Sequence, residues 1–134
     1  MTDIENIIIN RINNVLETAG YHDILKSDYE DVPSEFPCVF FQQFDSYEHT
    51  EQHSSSRENN FDTVVFEGDI YSNLNNGARS ECKAIAQIID AEMVSLGFSR
   101  TTNQALRPSS PTYKARRFVR YRGVVDTNKY IYHI

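Results

Sequence analysis

The chain has 134 residues, 40% hydrophobic and 24% charged, with a formal net charge of −6. That is the length and composition of one globular domain, able to bury roughly two thirds of its unfolded surface. No apolar run approaches the ~18 residues of a membrane span, and the acidic total argues against simple duplex DNA binding, which draws its affinity from phosphate neutralisation.

The charge is unevenly spread. Residues 1–99 hold eighteen acids against five Lys/Arg, whereas residues 100–134 hold one acid against eight. Such asymmetry marks a partner surface. The N-terminal MTDIENIII is acidic and lacks the basic region of a signal peptide. A cytosolic origin is expected, with Cys38 and Cys82 as reduced, buried thiols rather than a disulfide.

Thr2-Asp3-Ile4-Glu5 has capping-box form. Ile4, Ile7, Ile8, Ile12, Val15, Leu16 and Ala19 follow at helical spacing, and Gly20 stops them. The pattern predicts a helix from about Thr2 to Ala19. Residues 21–35 form an acidic connector carrying Asp23, Asp28, Glu30, Asp31 and Glu35, with room for a short strand near Ile24–Leu25. Cys38 to Phe44, CVFFQQF, is β-branched and aromatic and predicts a strand. The polar run His49 to Asn60 has no core-forming residues. It predicts a long polar hairpin at about residues 45–62, with its tip near Ser54–Ser56.

Val64, Phe66 and Ile70 alternate with Val65, Glu67, Asp69 and Tyr71, which predicts a half-buried strand. Gly68 falls on its apolar side and signals a bulge or a close backbone approach. SNLNNG breaks the strand, and Cys82, Ile85, Ala86, Ile89, Met93 and Leu96 then make one helical stripe. Gly97 is placed to end this helix, with Phe98 folding back onto its last turn. A weaker strand pattern covers Phe98 to Leu106, RPSSP is a loop, and Tyr113 to Val125 predicts a long strand. One parity of that strand carries Tyr113, Ala115, Arg117, Val119, Tyr121 and Gly123; the other carries Lys114, Arg116, Phe118, Arg120, Arg122 and Val124. Asp126 to Lys129 is a turn before a last short strand, Tyr130 to Ile134. The order is α-β-β-α-β-β-β: one α+β domain spanning residues 1–134, with a mixed, mostly antiparallel sheet packed against two helices.

Candidate chemistry is sparse. His49 and His53 have an H-x₃-H spacing, but they sit in a Ser-rich run, and a solvated loop is the plainer explanation. Asp45, Glu48, Glu51, Glu67 and Asp69 could supply a carboxylate pair, yet alternating acids on a solvated sheet face explain them as well. Cys82 lies on a core stripe and makes a poor nucleophile. No nucleophile elbow, P-loop, dinucleotide fingerprint or zinc spacing occurs. An enzyme is disfavoured, and no cofactor or metal is expected. Lys114, Arg116, Arg117, Arg120 and Arg122, interleaved with Phe118 and Tyr121, have the look of a nucleic-acid surface. The competing explanation is a strand whose cations meet acids on a neighbouring strand or subunit.

Phe36-Pro37-Cys38-Val39-Phe40-Phe41, then Val65-Phe66-Glu67-Gly68-Asp69-Ile70-Tyr71-Ser72-Asn73, then Gly97-Phe98-Ser99-Arg100, then Arg117 to Asp126 and Tyr130-Ile131-Tyr132 follow one another over nearly the whole chain. In order and spacing they resemble the tail terminator (tail completion, head–tail joining) proteins of long-tailed bacteriophages and prophages. The resemblance implies a non-enzymatic virion protein of the neck, assembled in the bacterial host cytoplasm. It implies a ring, usually a hexamer, that caps the tail tube and meets a head-closure protein, with genomic DNA passing through its lumen unread. Other small neck proteins, with head-closure or adaptor roles, are similar in size. A single-stranded nucleic-acid binding module is the alternative from another class.

The charge split adds a physical expectation, because a cyclic ring joins two unlike patches. Lys114, Arg116, Arg117, Arg120 and Arg122 are expected to meet Asp23, Asp28, Glu30 and Asp31 of a neighbouring subunit. His49, Glu51, His53, Ser54, Ser55 and Arg57 are expected to touch another neck or tail protein.

Overall fold

A computed structural model describes residues 3–26, 33, 35–48, 61–126 and 131–132. Its elements run α1 (Glu5–Thr18), β1 (Leu25–Lys26), β2 (Cys38–Glu48), β3 (Phe61–Ser72), α2 (Ala78–Ser95), β4 (Ser99–Leu106), β5 (Ala115–Asp126) and β6 (Ile131–Tyr132). The sheet is ordered β1-β2-β3-β5-β4, with β6 beside β5. Only the β1–β2 pairing is parallel among the described strands. This is the expected α+β class and mostly antiparallel sheet; β1 adds one strand to the expected order.

Ile4, Ile8, Ile12 and Leu16 recur every fourth residue of α1 and are buried. Ile7, expected on the stripe, is 51% exposed, and Ile9 packs against the core instead. Consecutive helical residues step by about 100°, so only one flank of the Ile7-Ile8-Ile9 run joins the buried face. Glu5 does not form the expected capping box. Its carboxylate accepts the Gln43 N–H at 2.8 Å, while Gln43 Oε1 accepts the Ile4 N–H at 3.0 Å. Asp3 Oδ1 accepts the Glu5 N–H at 3.0 Å. Thr2 lies outside the described residues.

Both helices end in the same glycine motif. In α1 the Tyr21 N–H reaches Leu16 O (2.9 Å) and the Gly20 N–H reaches Glu17 O (3.0 Å). In α2 the Phe98 N–H reaches Met93 O and the Gly97 N–H reaches Val94 O, both at 3.0 Å. Each pair satisfies carbonyls that the helix leaves open, and it requires a left-handed residue: Gly20 has φ 98° and Gly97 φ 103°. Cys82, Ile85, Ala86, Ile89 and Met93 bury the expected stripe of α2 against the same sheet face that α1 covers.

On that face Phe41 stacks on Phe66 (5.6 Å), which meets Phe98 edge-on (5.6 Å), and Phe41 also tilts against Tyr121 (6.3 Å). Gly68 admits this layer by close approach. A Cβ there would lie 2.6 Å from Phe41 Cδ1 and 2.8 Å from the Phe40 carbonyl oxygen. The bulge falls elsewhere, between Gln43 and Asp45, and leaves Phe44 53% exposed. Asp45 to Glu48 pair with Val65 to Asp62, which carries β2 beyond the Cys38–Phe44 stretch that the pattern marks as a strand. The hairpin tip, residues 49–60, lies outside the described residues. Tyr113 departs from the expected parity. It precedes β5 and joins Cys38, Phe40 and Tyr71 in a small cluster on the opposite face, where Ser109 bonds its hydroxyl.

Candidate interaction surfaces

The sheet face away from the helices carries a network of paired ions. On β3 and β5, Glu67 stands opposite Arg120, and Asp69, opposite Phe118, is diagonal to Arg116, two residues along the strand. Arg120 Nη2 donates to Glu67 Oε2 at 3.0 Å. Arg116 donates to Asp69 Oδ1 through Nη2 (2.8 Å) and Nε (3.0 Å). Both guanidiniums also lie near rings: Arg116 over Tyr71 at 5.5 Å, and Arg120 over Phe44 at 5.3 Å. The Arg120 Nε is buried with no hydrogen-bond partner among the described residues. Arg117, on the helix side, donates from Nε to Asn103 Oδ1 at 2.6 Å. Thus Arg116 and Arg120 meet acids on a neighbouring strand of their own chain. Lys114 and Arg122 are exposed. Phe44 and Tyr47 add exposed aromatic surface on β2.

A second feature lies at the β4 edge of the sheet. Two adjoining concavities, about 630 and 380 Å³, share Lys83 and Arg117 in their walls. The helical wall supplies Arg79 and Lys83, one turn apart, and Gln87 a turn further on. The strand wall supplies Arg100 to Asn103, Ala105 to Pro108 and Lys114 to Arg117. Six Lys/Arg residues line the larger concavity, of which Arg116 is bonded to Asp69 and Arg117 to Asn103, and no described carboxylate lines either one. Gly77, at φ 87°, precedes α2 and supplies no side-chain cap.

Cys82 lies on the cleft floor. Burial pushes its thiol up to about 12; the neighbouring Glu81 charge adds to the rise and Arg117 opposes it. Its Sγ points at the Ile70 carbonyl oxygen at 3.6 Å. A protonated, buried thiol is a poor nucleophile, as its place on the stripe implies. Beneath the sheet's far end, the Tyr121 hydroxyl donates to Asp90 Oδ1 at 3.1 Å, and Arg100 Nη1 approaches Asp90 Oδ2 at 3.4 Å. Burial, then the Asp90 charge, raises the Tyr121 pKa.

The other sequence candidates divide simply. Asp23 is exposed at φ 57°, beside β1, while Asp28, Glu30 and Asp31 lie outside the described residues. So do His49, Glu51, His53, Ser54, Ser55 and Arg57. Glu67 and Asp69 serve as partners of arginines, and Asp45 is exposed. Among the described residues no group of three or more His, Cys, Asp or Glu side chains is placed to hold a metal ion. No described helix is long and apolar enough to cross a membrane. Arg79 and Lys83 were not singled out from the sequence because they are far from the basic strand in the chain, and Arg107 because it falls in the RPSSP loop rather than on that strand. The i, i+4 spacing of Arg79 and Lys83 on the polar side of α2 was their one local signal.

The chain matches no family model and no curated protein.

Proposed function

We propose that this chain is a structural protein of a bacteriophage neck, similar to tail terminators. It forms a ring, probed first as a hexamer, at the head-proximal end of the tail tube, halts tube growth and meets a head-closure protein. DNA passes through the ring without sequence readout, and the protein performs no chemistry. The reading is supported by the order of the quoted segments, which fill β2, β3, the α2–β4 junction and β5.

The observation that carries it is the sheet face away from the helices, which no described helix covers. There Glu67–Arg120 and Asp69–Arg116 are fixed by direct bonds and flanked by exposed Phe44 and Tyr47. Preorganised ion pairs and aromatic anchors suit contact with another protein. The test mixes the purified chain with tail-tube protein and follows tube length by negative-stain microscopy. Tubes of limited length, each capped by a ring, are expected; tubes that grow without limit and carry no cap would refute the reading. Caps found on the head vertex instead would assign the head-closure role.

A second reading, a single-stranded nucleic-acid binding module, is favoured by one observation, the carboxylate-free cleft. It predicts oligonucleotide affinity that falls steeply with salt, read by gel shift. The neck reading predicts weak binding or none.

A further inference from the structure

We infer that the cleft between α2 and β4 receives the acidic β1 edge of a second copy of this chain, so that subunits join head to tail through opposite sheet edges. The inference rests on the self-assembly proposed above and names the surfaces that carry it. Arg79, Lys83, Arg107 and Lys114 are exposed around the cleft and have no ion-pair partner among the described residues. Like charges gathered without counter-ions destabilise the subunit that holds them. In a chain of net charge −6, that gathering points to an anionic occupant.

The complement lies on the same molecule. Residues 21–35 hold five acids against one lysine. Two of these acids, Asp23 and Glu35, flank β1 and are exposed, Glu35 touching only Lys26 at 3.6 Å among the described residues. The strand order places β1 and β4 at opposite ends of the sheet. Five strands spaced about 4.8 Å apart hold the two edges roughly 19 Å from each other. Edges that face apart cannot both be satisfied in a two-fold pair; they join heterologously, which closes into a ring or runs on as a filament.

The walls also speak to the occupant. The floor is apolar at Cys82, Ala105 and Leu106, and no aromatic side chain lines the cleft. A single-stranded nucleic acid would lack the ring platforms on which bases stack. A peptide carrying carboxylates and aliphatic groups fits both parts. The contact runs through side chains rather than by strand addition, because a register shift between Arg100 and Thr102 distorts β4 where a new strand would pair.

The test uses two full-length variants, Lys83→Glu with Arg107→Glu and Asp23→Lys with Glu35→Lys, followed by light scattering after size exclusion. All four positions are exposed, and circular dichroism with a thermal melt confirms folding. Wild type is expected to associate, each variant to need at least tenfold higher concentration, and an equimolar mixture of the two to recover, since the reversed edges complement each other in alternation. Variants that associate like wild type would overturn the cleft assignment and leave the neck reading standing. A mixture that stays monomeric also overturns it. A wild-type chain that is monomeric at every concentration, and forms no ring on tail tubes, overturns both.

Discussion

Two aromatic rings of the core rest where a side chain is missing. Phe41 lies over Gly68 and Phe98 over Gly123, where an added Cβ would come within 2.6 Å of each ring. At Gly68 the Phe40 carbonyl oxygen closes the other side at 2.8 Å, so neither backbone nor ring has room to yield. Gly68→Ala is therefore expected to cost about 1–3 kcal/mol, read as a fall in the urea midpoint at unchanged slope. At Gly123 the three nearest atoms all belong to the Phe98 side chain rather than to backbone, so the alanine variant there should cost less. Cys82 gives a pH prediction at the same scale. Its thiol stays protonated in the folded chain up to about pH 12, against an ordinary value of 9.0. Between these values the unfolded chain binds fewer protons than the folded one, so stability falls as pH rises, by up to about 1.4 kcal/mol per pH unit for this one group. Below the ordinary value the contribution is complete and flat. Tyr121, also raised by burial, acts in the same direction at higher pH. Urea titrations at neutral pH and in the alkaline window should show a shallower loss in Cys82→Ala than in wild type; an identical loss would mean the thiol is not the source.

The elements show where local sequence stops being informative. Both helix ends were legible because their cause is local: Gly20 and Gly97 adopt the left-handed conformation that closes the last turn. The start of α1 was not, because its partner is Gln43, 39 residues from Ile4 in sequence. The strand that supplies Gln43 bulges at the next residue. Gln43 thus both accepts from the Ile4 N–H and donates its own N–H to Glu5. This clamp ties the positive end of α1 to β2. Gln43→Ala keeps the backbone donor and removes the acceptor, so a loss of about 1 kcal/mol is expected, comparable to deleting a helix cap. Hydrogen exchange localises it: faster exchange should be confined to the first turn of α1, and exchange spread along β2 would contradict the account. The same reasoning explains the ion pairs between β3 and β5. Alternation in β5 announced its cations, but not which would find acids on β3. Asp69 and Glu67 take Arg116 and Arg120 through a register that the strand pattern alone leaves open.

At the scale of the whole molecule, the charge split of the sequence becomes a spatial one. Its basic quarter does not simply form a basic face. Part of it is neutralised within the sheet, and Arg107, Lys114 and Arg117 join Arg79 and Lys83 at the β4 edge. Asp23 and Glu35, the described acids of residues 21–35, sit at the other edge, beside β1. The total charge, −6, repels one copy from another at long range, whereas the unlike edges attract at short range. These two effects respond differently to salt. At an ionic strength of about 0.01 M the Debye length is near 30 Å, comparable to a subunit, and net repulsion opposes approach. Near 0.15 M it is about 8 Å, so the repulsion is screened while side chains in contact still attract. At about 1 M it is near 3 Å and the contact attraction is also weakened. Self-association should therefore pass through a maximum at intermediate salt. Sedimentation equilibrium across this range measures it directly. A steady rise with salt would identify an apolar interface instead, centred on the exposed Phe44 and Tyr47, and would move the contact from the sheet edges to the uncovered face.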